Sequence, residues 1–95
     1  MHLTDKQIEQ MKVIAAGNPD GTPVDIDQIL ERLSYKPSKQ SFQFSLRALI
    51  KKDLVVKGTR ESRRGRERQT IIPSTLGSGM FPKVSLLAAL TAPGD

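Results

Sequence analysis

Ile8, Met11, Ile14 and Ala15 recur at the three- and four-residue spacing of one helical face, with Glu9, Gln10 and Lys12 falling on the solvent side. The start of that helix is marked twice. Thr4 and Gln7 stand as a capping box, and Leu3 and Ile8 occupy the two positions of a hydrophobic staple. Gly17 follows where a helix would end, so the pattern predicts a helix over 5–16. Asn18-Pro19-Asp20-Gly21-Thr22-Pro23 is a dense run of turn formers. The same start signal then returns, with Asp25 and Gln28 as the capping pair and Val24 and Ile29 as the staple. A second helix is predicted over 26–33, with Ile26, Ile29, Leu30 and Leu33 as its apolar stripe. At just over two turns it is too short to stand without packing.

Ser34-Tyr35-Lys36 makes a tight connection, and Pro37 suits the first turn of a third helix, where its missing amide hydrogen costs nothing. That helix is expected to run to Lys51 or Lys52, with Phe42, Leu46, Leu49 and Ile50 inward. Lys39, Gln40, Gln43 and Arg47 fall on its other face, which is polar and free of acid. Two runs rich in β-branched residues, Leu54-Val55-Val56 and Thr70-Ile71-Ile72, then flank a polar tip containing glycine. This is the pattern of a β-hairpin joined by a longer loop, ended by Pro73. Arg64, Arg66 and Arg68 alternate with Gly65 and Glu67, so on an extended strand they would share one face. Ser74 to Gly79 reads as a loop without regular structure. Lys83 to Ala92 is apolar with a weak helical stripe, expected to pack on the core or on a second copy. The organisation expected is one domain over 1–76, followed by a loop and apolar tail over 77–95.

Charge sharpens the picture. The 95-residue chain carries +5, and residues 51–68 hold eight Lys/Arg against three Asp/Glu, while residues 1–50 balance at six of each sign. The basicity is therefore focal, the electrostatic footprint of a nucleic-acid binder. With no cysteine, disulfides and thiolate metal sites are excluded, and no run approaches the roughly 20 apolar residues of a membrane span. A cytoplasmic protein with no membrane partner is expected, nucleoid-associated in a prokaryote.

No catalytic constellation stands out. His2 is the only histidine, Asp25 is accounted for as a helix cap, and the glycines form no phosphate loop. The protein is expected not to be an enzyme, and to use no cofactor, metal or small-molecule substrate. Two aromatics carry alternatives. Phe44, off the main stripe of the third helix, would contact a thymine methyl or a partner protein, or would tuck under the hairpin or the tail, which is the favoured placement. Tyr35 would donate its hydroxyl to a phosphate or sit half-buried in the turn.

The order helix, short helix, tight turn, helix, basic hairpin resembles the winged helix-turn-helix superfamily of DNA-binding proteins. The likeness is clearest in Ile29-Leu30-Glu31-Arg32-Leu33, then Phe42, and Leu46 through Val55. Leu49, Lys52, Leu54 and Val55 occupy the family's exit into the wing, and Asp53 stands where many members have glycine. The arginine-rich tip followed by Ile71-Ile72-Pro73-Ser74-Thr75-Leu76-Gly77 is similar to a MarR-type wing, without the long dimerisation helices of that group. The resemblance implies a mainly helical α+β fold, three helices plus a two-stranded wing, with Leu30, Leu33, Phe42, Leu46, Leu49, Leu54 and Val56 in the core. It implies that Ser38, Lys39, Gln40, Ser41, Gln43 and Arg47 face the major groove of double-stranded DNA. Arg60, Arg63, Arg64, Arg66 and Arg68 would meet phosphates or enter the minor groove. The expected function is transcription regulation by a homodimer, since one short reading helix gives modest contact area and two-fold symmetry doubles it. The alternatives are a protein-interaction module whose basic hairpin meets an acidic surface, or an RNA-binding accessory factor.

Overall fold

A computed structural model describes residues 2–81. They form a small α+β domain of four helices and a three-stranded antiparallel sheet. Helix α1 (Asp5–Ala16) opens on the expected capping box, Thr4 Oγ1 accepting from the Gln7 amide at 3.1 Å and Gln7 Oε1 accepting from the Thr4 amide at 3.0 Å. Strand β1 (Val24–Asp25) leads directly into α2 (Ile26–Arg32), where Asp25 and Gln28 repeat the same box. Helix α3 (Lys39–Lys51) begins two residues later than expected. Ser38 supplies its cap by accepting from the Ser41 amide, so Pro37 lies outside the helix.

Strands β2 (Val55–Arg63) and β3 (Arg66–Pro73) form the hairpin, and β3 lies between β1 and β2. The expected longer loop is a two-residue turn. Arg64 at φ 54° and Gly65 at φ 74° both take the left-handed backbone that type I′ turns need to follow strand twist. Register shifts between Lys57 and Arg60 form an irregularity around Gly58, where Gln69 Nε2 donates to the Gly58 carbonyl and Thr70 Oγ1 donates to the Thr59 carbonyl.

Three other expectations are corrected. The extended residue before the α2 cap, Val24, pairs with Ile71 and adds a third strand. Ser74 to Gly79 is not a loop: α4 (Thr75–Met80) forms there, capped by Ser74, whose hydroxyl accepts from the Gly77 amide at 3.0 Å. Tertiary packing overrides the glycines' poor propensity, since Gly77 is buried against the Leu54 carbonyl. Gln10 is also not on the solvent side; it is 1% exposed, its Nε2 donating to the Tyr35 hydroxyl at 2.6 Å. The expected tail over 83–92 lies outside the described residues.

Met11, Ile14, Ile29, Leu33, Phe42, Leu46 and Leu49 from the helices close on Val24, Leu54, Val55 and Ile71 in one core. Leu30 is half-buried at its edge. Val55 takes the core place, while the neighbouring Val56 points outward, as strand alternation requires. Asp53 takes φ 61°, so the turn between α3 and β2 keeps the left-handed geometry that glycine adopts most easily.

Candidate nucleic-acid interface

The hairpin and α2 are tied together by charge. Cross-strand pairing places Glu61 opposite Arg68 and Arg63 opposite Arg66, so these four share one face of the hairpin. Two of the arginines turn onto the N-terminal end of α2. Arg63 donates to the Pro23 carbonyl at 3.0 Å, to Gln28 Oε1 at 3.2 Å and to Asp25 Oδ2 at 3.4 Å, while its other nitrogen meets Glu61 at 3.1 Å. Its side chain is only 16% exposed. Arg68, 14% exposed, pairs with Asp27. Both sit where the helix N-terminus already holds carboxylates against its unpaired amides, so the arginines neutralise acids that cap and flank α2.

Of the row expected on one strand face, Arg66 and Arg68 share it and Arg64 does not. Arg63 and Arg68 are internal counter-ions, and Arg64 lies in the turn, 3.2 Å from Glu31. Arg60 is exposed, 3.9 Å from Glu67 and bonded through Nε to Gln69 at 3.4 Å. Arg66 is exposed with no ion-pair partner among the described residues. Exposed pairs such as those of Arg60 and Arg64 contribute about 0–1 kcal/mol, so a phosphate can displace the carboxylate from either arginine.

Ser38 caps α3, its hydroxyl oxygen accepting from the Ser41 amide at 3.0 Å, which leaves the hydroxyl hydrogen able to donate. Ser41 and Gln40 are exposed and Gln43 is half-buried. Lys39 is exposed, 3.9 Å from Asp27. Arg47 lies over the ring of Phe44, 5.8 Å from its centroid. Phe44 is 63% exposed and not tucked under the hairpin; the tail against which it was also expected to pack lies outside the described residues. Tyr35 is half-buried, accepting from Gln10 beneath the Lys6 ammonium, 5.2 Å above the ring.

The α3 face and the hairpin meet in a groove of about 250 Å³ lined in part by Ile26, Gln43 and Gln69. Five cations border it, Lys39, Lys57, Arg60, Arg66 and Arg68, against two carboxylates, Asp27 and Glu67. Lys57 was not among the residues the sequence singled out. A lone lysine beside a glycine carries no signal of its own; Lys57 joins the groove only once β2 pairs with β3, where it stands opposite Ile71 just before the register shifts.

No protein-family model, curated protein or solved structure matches the chain. Among the described residues no helix is long and apolar enough to cross a membrane, and no cluster of three or more His, Cys, Asp or Glu could hold a metal ion.

Proposed function

We propose that the chain is a winged-helix DNA-binding regulator, with α3 entering the major groove and the hairpin lying on the flanking phosphates. The observation that carries this reading is the groove in which cations from α3 and from the hairpin, distant in sequence, converge with a net positive balance. The outer face of α3 supports it. Gln40, Gln43 and Arg47 offer amide and guanidinium groups suited to base edges, and α3 contains no carboxylate to repel phosphate. The phosphate-facing set is Lys39, Lys57, Arg60, Arg64 and Arg66, with Arg47 available to base or backbone; Arg63 and Arg68 hold the hairpin in place for them. Two copies on a palindromic site would double a modest contact area, as two-fold DNA-binding proteins do.

Titrating labelled duplex DNA across a salt series, with duplex RNA as competitor, tests this reading. Six available cations bound the steepness: log affinity should fall with log salt at a slope no steeper than about −5.4, at about 0.9 per neutralised phosphate. DNA should outcompete RNA. Absence of duplex binding at low salt, or preference for RNA, refutes the reading.

A further inference from the structure

Phe44 is the aromatic side chain that the described fold leaves most open to water. It lies on the outward face of α3 in a shallow hollow of about 270 Å³ shared with Gln40, Gln43 and Arg47. Every neighbour of the ring in that hollow is polar, so the site does not suit an extended apolar partner. A plate of apolar carbon set among two amides and one guanidinium matches a partner that carries a small apolar group embedded in hydrogen-bonding edges. Such a group occurs in the major groove as the 5-methyl of thymine, flanked by the N7, O6 and N6 edges of purines. The charge agrees: Arg47 and Lys39 are the polar ends of this stretch of helix, and no acid stands on it.

Building on the DNA-binding reading above, we propose that Phe44 is the specificity-determining contact to a thymine 5-methyl group, and that Arg47 reads the guanine of the adjacent base pair. The two residues are three apart, about 4.5 Å along a helix axis, against about 3.4 Å between stacked bases. A helix lying along the groove therefore sets them over neighbouring steps. The guanidinium stacked beside Phe44 is held ready for the bidentate contact to guanine O6 and N7. Gln40 and Gln43 supply the amides that fit an adenine edge.

The test uses the full chain and a duplex recovered from a random pool by selection for binding. Each thymine of that duplex is replaced in turn by deoxyuridine, which removes only the methyl group. For the wild-type chain we expect about a fourfold loss of affinity at one or two positions, the worth of one buried methyl, beside an essential guanine. Phe44→Ala, a change on an exposed side chain, should bind the thymine and uracil duplexes equally. Uracil tolerated at every position, or a loss that persists in Phe44→Ala, overturns this inference while leaving sequence-specific binding intact. Recovery of no preferred duplex overturns it together with the DNA-binding reading. Arg47→Ala should relax preference at the adjacent guanine alone; equal weakening on all sequences assigns Arg47 to phosphate and overturns its role as a base reader.

Discussion

Arg63 and Arg66 face each other across the hairpin, and their replacement by alanine should separate stability from binding. Arg63→Ala removes the donor to the Pro23 carbonyl, Asp25, Gln28 and Glu61 at once. Asp25, with a side chain 4% exposed, loses its cation. Breaking a buried ion pair by deleting one partner costs about 3–5 kcal/mol. Asp25 keeps its bond from the Gln28 amide at 2.8 Å and Glu61 is partly solvated, which places the loss at the lower end, about 3 kcal/mol. For a domain of this size that lowers Tm by roughly 12–24 °C. Arg66→Ala removes an exposed side chain without an ion-pair partner, so its effect should stay within about 0.5 kcal/mol, or roughly 2–4 °C. Binding should invert the order. Measured well below the lower Tm, Arg66→Ala should flatten the log–log salt dependence by about 0.9, and Arg63→Ala should leave it unchanged. Thermal melts followed by circular dichroism, with salt titrations on one duplex, supply both readouts. Equal melting shifts, or a flattened slope for Arg63→Ala, would refute the division of the arginines into counter-ions and phosphate contacts.

Gly77→Ala should destabilise by about 1–3 kcal/mol, because a β-carbon there would collide with the backbone carbonyl of Leu54, which cannot swing aside; an unchanged denaturant midpoint would contradict the packing of α4. Tyr35→Phe should cost about 1–2 kcal/mol by orphaning buried Gln10, with duplex affinity unaltered; a loss of affinity at unchanged stability would return Tyr35 to the phosphate contacts. The Glu9 carboxyl accepts from the backbone amide of Ser34 and then from its hydroxyl, and these bonds hold its pKa below the ordinary 4.5. A lowered folded pKa means that its stabilisation is full above 4.5 and fades as pH falls through the lowered value. The Tm gap between wild type and Glu9→Gln should therefore be constant above pH 5 and close on further acidification; a gap that widens would reverse the assignment.

The helical framework was legible because its signals are local. Each capping box joins residues three apart, and each staple and apolar stripe lies within one or two turns, so Thr4, Gln7, Asp25 and Gln28 announce their roles without knowledge of the rest. Features that failed depend on partners far along the chain. Val24 becomes a strand only because Ile71 lies beside it, and α4 exists because Gly77 can press against Leu54. For the candidate site the difference is electrostatic. Counting charges locates the basic segment, but Asp25 and Asp27, some forty residues upstream, decide that Arg63 and Arg68 are already neutralised. The amphipathic pattern of α3 correctly put Gln40 and Arg47 outside, yet offered no way to tell a covered Phe44 from a bare one.

The strand order has a consequence for colloidal behaviour. With β3 in the middle, β2 presents an outer backbone edge over nine residues, and such edges recruit the edges of other copies into growing sheets. Lys57 and Arg60, with the irregularity near Gly58, break the flatness and uniform polarity that stacking requires. The cations proposed to seek phosphate also act as gatekeepers in its absence. A variant stripped of them should cloud with rising concentration even where its fold is intact, and nucleic acid bound across the hairpin would serve as a solubilising cover.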